Sequence, residues 1–307
     1  MPTFLIIGAM KGGTWSLYEY LAQHPEVFAP DVKEPTFFVD CAPHGMRMPY
    51  RGRRTFLKRG EQAAFGTLGS YRQLFRGAED YAARFEASTS YLSHPPAAKY
   101  IKELLPSIKL VALLRNPVDR AYSAYNFQRS FGREPAETFE EALREERAGQ
   151  RDDWWYSWRH LHCGLYAQHL ETYRRSFRDD QFLILRSESF FADPTSTCRR
   201  ILHFIGVDPE YRLPTHRIRN ETRIRNPLLT AAYRDVFLQS SLQGALRAFF
   251  PKAVRRPAAA RMRRIVESMG RRPPPMGVTL RSELVDFFAA DIERLGNLVD
   301  WDPRAWT

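Results

Sequence analysis

The sequence predicts an α/β fold of three layers, in which helices flank a central, mostly parallel β-sheet. Two observations predict this fold. Short apolar runs alternate with amphipathic segments of helical period along most of the 307 residues. The nearly continuous apolar character of these runs is typical of parallel strands that are covered on both faces.

The first strand and helix come at the start of the chain. Residues 4–7 form an apolar run, and apolar side chains recur with helical spacing over residues 14–21. The segment GAMKGGT connects the two and is rich in glycine. Its successive backbone amides are therefore expected to surround an anion at the positive end of the helix.

A second strand and helix stand in the middle of the chain. The apolar run at residues 108–114 is followed by Arg115, by Asn116 as a favourable helix N-cap, and by Pro117 for the first helical turn. Ligands of open parallel sheets bind beyond the carboxyl ends of the strands. Both Arg115 and the loop at residues 8–16 are expected at such ends.

The remaining pattern predicts a helix over 165–177, a strand over 181–185 and helices over 195–205 and 279–299. Residues 217–275 are rich in arginine and proline and contain helical stretches but no clear strand. We therefore predict a single domain over residues 1–307 with a variable helical or lid insertion at about 217–275.

The chain is basic, with 46 Lys and Arg residues against 35 Asp and Glu. This charge suits nucleic acid, an acidic membrane surface or small anions, but no nucleic-acid-binding module is recognisable, so nucleic acid is not expected. Three scattered cysteines indicate neither a disulfide framework nor a zinc site. The sequence has no apolar run of membrane-spanning length and no signal-peptide pattern, which predicts a cytoplasmic enzyme.

The first loop differs from the usual nucleotide loop, G-x-x-x-x-G-K-[ST]. Gly8 and Gly13 have the right spacing, but Thr14 stands where the lysine should be, and Lys11 comes earlier. No apolar strand ends in an aspartate that would hold Mg²⁺, since residues 108–114 lead into Arg115. This pattern favours a phosphate-like ligand that cations bind without a metal.

Five segments occur in a recognisable order: GAMKGGTWSL, KEPTFF, FEASTSYL, LLRNPVDRAYSAY and GLYAQHLETY. Together they resemble the sulfotransferases that use PAPS (3′-phosphoadenosine-5′-phosphosulfate), most closely the heparan sulfate N- and 3-O-sulfotransferases and their bacterial relatives. The resemblance covers most of residues 3–208 and returns in the C-terminal helix. It implies a P-loop-like fold, PAPS as the sulfuryl donor, 3′,5′-ADP as the product, and no metal.

The resemblance also implies the residues that bind the donor. Those around the 5′-phosphosulfate would be Lys11, Gly12, Gly13, Thr14, Trp15 and Ser16. Trp15 stands where the family more often has a small residue, so its amide is assigned rather than its side chain. Arg115 and Ser123 would hold the 3′-phosphate. Tyr166 would approach the donor or else be a core tyrosine, and Arg223 and Arg225 would belong to a basic loop that closes over the phosphates.

Two residues are implied in the chemistry. Glu34 would remove the acceptor proton, and Lys11 would stabilise the charge that builds on the leaving phosphate. The alternative for Glu34 is a simple ion pair with Lys33. Ala87 stands where the family commonly has a lysine, so either Lys33 or an arginine compensates, or this chain manages without that cation.

The acceptor is expected to be a hydroxyl, in preference to an amine, of a carbohydrate, a glycolipid or a natural product. Two other functions stay open: a P-loop nucleotide kinase or NTPase, and a non-catalytic polyanion-binding protein. The aromatic segment at residues 154–158 either packs in the core or stacks on the acceptor. His160 and His162 lack a third ligand at suitable spacing, so no metal site is predicted.

Overall fold

The computed structural model describes residues 1–40, 46–50, 55–58, 65–214 and 272–307. Within these ranges the strands are β1 Phe4–Gly8, β2 Val27–Phe28, β3 Arg47–Tyr50, β4 Thr55–Lys58, β5 Ala83–Ala87, β6 Lys109–Leu114 and β7 Phe182–Arg186. Five of them form a sheet in the order β2-β5-β1-β6-β7, and every pair in it is parallel. Strands β3 and β4 pair with each other in antiparallel orientation.

The helices of the described ranges are α1 Thr14–Leu21, α2 Phe37–Asp40, α3 Leu68–Gln73, α4 Pro95–Leu104, α5 Pro117–Ser130, α6 Phe139–Arg147, α7 Tyr166–Arg174, α8 Ser187–Ala192, α9 Pro194–Ile205 and α10 Val278–Leu295. Short 3₁₀ turns lie at Tyr156–Trp158, His162–Gly164, Asp179–Gln181 and Pro303–Trp306. None of these helices has the length and apolarity that crossing a membrane requires.

The sheet is covered on both faces, as predicted. In β1, Leu5 and Ile7 belong to one hydrophobic core, which also receives α4, α5, α7 and α10. Phe4 and Ile6 belong to a second core on the opposite face, against α1, α8 and α9. Side chains of a strand alternate between faces, so a strand whose residues are all buried contributes to both cores. The α/β prediction is confirmed.

Local signals explain where several helices begin and end. The Asn116 side chain accepts hydrogen bonds from the amides of Val118 and Asp119, and so caps α5 as predicted. Helix α9 ends at Gly206, whose φ of 85° favours glycine. Helix α7 has no cap of its own, and Asp291 of α10 instead accepts from the amides of Ala167 and Gln168. The C-terminal helix therefore caps a helix more than a hundred residues earlier.

Some predicted boundaries shift, and some elements were not predicted. The last helix ends at Leu295 instead of residue 299, because Gly296 follows it. Strand β5 and helices α4 and α6 were not anticipated. The helical stretches predicted between 217 and 271 lie outside the described residues, and residues 272–277 are without regular structure. The single-domain boundary stays a prediction.

The aromatic segment at residues 154–158 packs in the core. Trp154, Trp155, Tyr156 and Trp158 are all buried. The fully buried Arg151 guanidinium lies 4.6 Å from the ring centroid of Trp154 and pairs with Glu134 and Glu145 at 2.7 and 2.9 Å. Because their side chains are buried, the tryptophans have a packing role, and the alternative of an exposed stacking surface is not supported.

Candidate active site

The loop between β1 and α1 needs an unusual backbone. Lys11 and Gly13 both have left-handed conformations, with φ of 68° and 99°. Gly12 lies between them, and a Cβ atom added there would stand 2.3 Å from the Leu113 carbonyl oxygen. Glycine is therefore required at residue 12, because the backbone of β6 comes too close for a side chain. It is favoured at residue 13, because that residue has a positive φ. A non-glycine residue at positive φ is often found at functional sites, which fits the position of Lys11.

Neighbouring strands hold this loop in place. The Ala9 amide donates to the Leu113 carbonyl of β6 at 2.9 Å. The Ser187 hydroxyl, directly after β7, donates to the Gly12 carbonyl at 2.6 Å. Arg115 donates through Nη1 to the Lys11 carbonyl at 3.4 Å. The contact of Ser187 with the loop was not predicted from the sequence. The one available signal was the position of Ser187 at the carboxyl end of the third predicted strand.

Two cations meet at this point. The Lys11 ammonium lies 4.2 Å from the centroid of the Phe127 ring, and burial, followed by the charge of Arg115, lowers the pKa of Lys11 to about 8. In the part of the chain that the structure describes, neither Lys11 nor Arg115 pairs with a carboxylate. Two adjacent cations that pair with no described carboxylate, beside the N-terminus of α1, are an arrangement that favours an anion.

Buried contacts fix the backbone of Arg115. The Tyr166 hydroxyl donates to the Arg115 carbonyl at 2.9 Å, and Tyr166 itself is fully buried. The amide of Asn116 donates to Glu188 Oε1, while its side-chain nitrogen donates to the Trp306 carbonyl. Tyr166 therefore supports Arg115 from the core, which corresponds to the second of the two roles predicted for it.

Ser123 lies on the face of α5 that approaches the loop. It is one helical turn before Phe127, so the two side chains share a face of the helix. Phe127 contacts Lys11, so the face of α5 that carries Ser123 is turned toward the loop. Phe127 was not predicted, because an aromatic side chain on this helix looks like ordinary core from the sequence. The predicted Arg223 and Arg225 lie outside the described residues.

Glu34 stands at the carboxyl end of β5 in a left-handed conformation, with φ of 60°. Its amide donates to the Ala87 carbonyl at 3.0 Å. Its carboxylate accepts from the Thr89 amide at 2.8 Å, from the Thr89 hydroxyl at 3.0 Å and from the Lys33 ammonium at 2.9 Å. About a third of the side chain, 36%, remains exposed. Glu34 is therefore oriented by its neighbours and still accessible to a ligand.

Lys33 connects Glu34 to the loop and α1. Its side chain is only 7% exposed, and its ammonium lies 5.6 Å from the centroid of the Trp15 ring. The Trp15 indole is 44% exposed and donates to Glu19 Oε1 at 3.1 Å. The ion pair between Lys33 and Glu34, which was one of the alternatives considered from the sequence, is therefore present. Lys33 is the third cation near the loop, after Lys11 and Arg115.

A second carboxylate near Glu34 is that of Glu86, which belongs to the segment FEASTSYL. The Glu86 side chain is fully buried. It accepts hydrogen bonds from the hydroxyls of Tyr91 at 2.7 Å, Ser88 at 2.9 Å and Tyr71 at 3.2 Å. Burial raises the pKa of Glu86 to about 7, and the charge of Glu34 contributes in the same direction. No role was predicted for Glu86 from the sequence, since a single glutamate looks solvent-exposed.

The two histidines considered as metal ligands are engaged elsewhere. His160 is buried beside Glu134 at 3.3 Å, and His162 Nε2 lies 3.0 Å from the Ser93 carbonyl oxygen. Among the residues that the structure describes, no three His, Cys, Asp or Glu side chains are grouped so that they could hold a metal ion.

The fold is that of an α/β protein with a parallel sheet, and two cations lie side by side at the carboxyl ends of its adjacent strands β1 and β6. The family model described as "Sulfotransferase domain" matches residues 1–233. The chain therefore belongs to the sulfotransferase family, a family of group-transfer enzymes.

Curated relatives extend this result. The chain is 31% identical over 207 residues to mouse "Heparan sulfate glucosamine 3-O-sulfotransferase 6", which covers 67% of this chain and 52% of the relative. It is 29% identical over 214 residues to mouse "Bifunctional heparan sulfate N-deacetylase/N-sulfotransferase 4", covering 69% and 23%. The chain thus spans about half the length of the first of these relatives and less of the second.

A solved structure matches the whole chain. It is the "Sulfotransferase from Alicyclobacillus acidocaldarius", with a TM-score of 0.74 and 28% identity, covering 100% of this chain and 98% of that one. The recognition of the family from five short segments is confirmed.

Proposed function

We propose that the protein transfers the sulfuryl group of PAPS to a hydroxyl group of a carbohydrate acceptor. One observation carries this proposal: Lys11 and Arg115 lie side by side at the ends of adjacent strands, unpaired with carboxylates in the described ranges, while Glu34 stands at the end of the next strand. The donor has two anionic groups, the 3′-phosphate and the 5′-phosphosulfate. Two cations that could bind them and a carboxylate that could face the acceptor thus lie at one edge of the sheet.

The residues present fit this donor. Gly12, Gly13, Thr14 and the amides of Trp15 and Ser16 would surround the 5′-phosphosulfate at the N-terminus of α1. Arg115 suits the 3′-phosphate, because a guanidinium binds phosphate oxygens in a bidentate manner. Ser123 shares the α5 face of Phe127 and would add a hydroxyl. Arg223 and Arg225 are proposed as further phosphate ligands from outside the described residues.

The donor supplies an activated sulfuryl group on a phosphate leaving group. Glu34 would accept the proton of the acceptor hydroxyl as that oxygen forms its bond to sulfur. Lys11 would stabilise the negative charge that develops on the bridging oxygen as the sulfur–oxygen bond of the donor breaks. The Thr89 amide and hydroxyl hold Glu34 in one orientation, which favours a defined line of attack.

Lys33 would supply the cation that is missing at Ala87. Its ammonium is largely buried and lies between the Trp15 indole and Glu34. The ammonium lies 5.6 Å from the centroid of the ring of Trp15, a residue whose amide would contact the phosphosulfate. The ion pair with Glu34 and a role in charge stabilisation are therefore compatible.

The acceptor class is supported by the relatives: both names specify heparan sulfate, and the first also specifies glucosamine. We propose a sugar hydroxyl, ahead of a glycolipid or natural-product hydroxyl and ahead of an amine. The partly exposed Glu34 and the exposed Trp15 indole both lie next to the Lys33 ammonium, so a sugar ring bound there would have both a base and an aromatic surface nearby.

Thermal-shift measurements with 3′,5′-ADP, ADP and ATP, each with and without Mg²⁺, test the donor. We expect selective stabilisation by 3′,5′-ADP that does not depend on Mg²⁺. Stabilisation by ATP and Mg²⁺ at least as large would indicate a kinase or NTPase. Equal, salt-sensitive binding of unrelated polyanions with no effect of 3′,5′-ADP would indicate a polyanion-binding protein. Labelled PAPS and a panel of sugar, lipid and phenolic acceptors then identify the acceptor.

A further inference from the structure

The buried carboxylate of Glu86 has no part in the mechanism proposed above. Its side chain is fully buried, and a buried carboxylate is costly unless it is compensated. In the described residues its hydrogen-bond partners are three hydroxyl groups, from Tyr71, Ser88 and Tyr91. Apart from burial, the largest effects on its pKa come from Tyr91, Ser88, Glu34 and Tyr71. A group kept at such a cost, next to a candidate site, calls for a functional explanation.

The hydroxyls that bind Glu86 also bind the segment that carries Glu34. The Ser88 hydroxyl donates to Glu86 Oε2, and the oxygen of that hydroxyl accepts from the Thr36 amide at 3.0 Å. The Tyr91 hydroxyl donates to Glu86 Oε1, and the oxygen of that hydroxyl accepts from the Phe38 amide at 3.4 Å. Each hydroxyl therefore connects the buried carboxylate to a backbone amide within four residues of Glu34.

The direction of these hydrogen bonds depends on the charge of Glu86. An ionised carboxylate only accepts, so it turns the hydroxyl hydrogens of Ser88 and Tyr91 toward itself. The lone pairs of both oxygens are then left for the amides of Thr36 and Phe38. A neutral side chain with a donor would compete for those lone pairs.

The segment held in this way requires support. Glu34 and Thr36 are both non-glycine residues with left-handed backbones, with φ of 60° and 57°. Such conformations persist only where the surroundings hold them. The rings of Phe37 and Tyr71 stack with centroids 4.4 Å apart, so Tyr71 supports the same segment by packing.

We propose that Glu86 is the positioning residue for the base: its carboxylate orients the hydroxyls of Ser88 and Tyr91, which hold the Thr36 and Phe38 amides and so fix Glu34 against the acceptor. The assignment of Glu34 as the base belongs to the proposed function, on which this inference rests. The titratable groups around Glu86 are Tyr18, Tyr71, Tyr91, Tyr173 and Glu34.

The test compares Glu86→Gln, Ser88→Ala and the control Tyr125→Phe with the wild type, in the whole chain. Tyr125 donates to the Glu137 carbonyl and is not in contact with this network. Hydrogen–deuterium exchange of residues 33–38, measured without substrate, reports on the segment directly. We expect faster exchange there in Glu86→Gln and Ser88→Ala, wild-type exchange in Tyr125→Phe, and unchanged affinity for 3′,5′-ADP in all three.

Turnover provides the second measurement. We expect kcat to fall about tenfold or more in Glu86→Gln and Ser88→Ala through misplacement of the base. In the wild type, kcat should rise with pH through about 7 as Glu86 ionises, and Glu86→Gln should lack that rise. Unchanged exchange at residues 33–38, or loss of kcat only in step with loss of 3′,5′-ADP binding, would overturn the inference. Absence of PAPS-dependent transfer in the wild type would instead refute the proposed function, and the exchange data would still decide the role of Glu86.

Discussion

Arg115 donates a hydrogen bond from its guanidinium to the carbonyl oxygen of Lys11, and thereby joins the ends of strands β1 and β6. The two side chains carry like charges, and the charge of Arg115 contributes to the lowered pKa of Lys11. This mutual repulsion is relieved when an anion binds between them. The arrangement therefore favours a ligand with at least two anionic groups. The contributions of Lys11 and Arg115 to binding such a ligand can be tested by separate substitutions.

Lys11 gives a pH dependence. The pKa of Lys11 is lowered to about 8, so the ammonium that would bind the donor is lost as pH rises above that value. We expect kcat/KM for PAPS to fall about tenfold for each pH unit above about 8, because kcat/KM reports ionisations of the free enzyme. Lys11→Arg should shift this limb to higher pH, and Lys11→Ala should abolish most turnover. A wild-type profile that is flat from pH 7 to 10 would contradict the assignment.

Arg115 should determine which nucleotide binds. We expect Arg115→Ala to weaken 3′,5′-ADP binding about 10- to 100-fold, the effect of losing a charge-assisted hydrogen-bonded pair, and to leave ADP binding nearly unchanged. Calorimetric titration of both nucleotides into wild type and variant measures this difference. Arg178→Ala is a matched control, because Arg178 pairs with Asp180 on the surface. An equal loss for both nucleotides in Arg115→Ala would exclude recognition of the 3′-phosphate.

Glu34 should affect chemistry without affecting donor binding. We expect Glu34→Gln and Glu34→Ala to lower kcat about 10²- to 10⁴-fold, the usual contribution of a general base, at unchanged affinity for 3′,5′-ADP. Initial rates at saturating PAPS, combined with the titration above, separate the two effects. Glu171→Gln, a surface carboxylate of α7 that pairs with Arg294, should keep wild-type rates. Near wild-type turnover in Glu34→Ala would show that another group is the base.

Gly12 should be required for the loop itself. A Cβ atom at residue 12 would stand 2.3 Å from a backbone oxygen, whereas at Gly277 nothing lies within 4 Å. We expect Gly12→Ala to destabilise the protein by about 1 to 3 kcal/mol, as overpacking does, and to reduce 3′,5′-ADP binding. Gly277→Ala should stay within about 0.5 kcal/mol of the wild type. Urea unfolding measures both, and equal stabilities of the two variants would contradict the loop geometry.

Glu86 should make stability depend on pH. Its pKa is raised from 4.5 to about 7 in the folded protein, so the native state holds a proton that the unfolded chain has released between these values. The stabilisation is complete below pH 4.5 and is lost as pH rises through 7, by about 3 kcal/mol at 1.36 kcal/mol per unit. Urea unfolding at pH 5 and 8 should show a smaller difference in Glu86→Gln than in the wild type. If the difference in the free energy of unfolding between pH 5 and pH 8 were the same in both proteins, Glu86 would not be the cause of the pH dependence.

Much of the fold could be predicted because its signals are local. The apolar runs of β1 and β6 are nearly continuous, and Asn116 caps α5 through two hydrogen bonds within its own segment. Lys11 and Arg115 could be expected near each other, since both follow parallel strands. Their roles in donor binding stay predictions.

The rest of the site could not be predicted, because it depends on which strands are neighbours. Strand β5 pairs with β1, and this pairing brings Thr89 to Glu34 across 55 residues of sequence. Ser187 likewise reaches Gly12 only because β7 lies beside β6. The side-chain pattern of an isolated segment contains no information on sheet order, so neither contact could be derived from it.

The capping of α7 by Asp291 has a consequence for how the domain is delimited. The family match ends at residue 233, yet Asp291 holds the start of the helix whose Tyr166 supports Arg115, and the carbonyl of Trp306 accepts from Asn116. A recombinant fragment cut at the end of the matched region would keep every proposed donor ligand in its sequence. It would lack Asp291 and Trp306, whose contacts support Tyr166 and Asn116, so we predict that such a fragment binds 3′,5′-ADP more weakly than the whole chain.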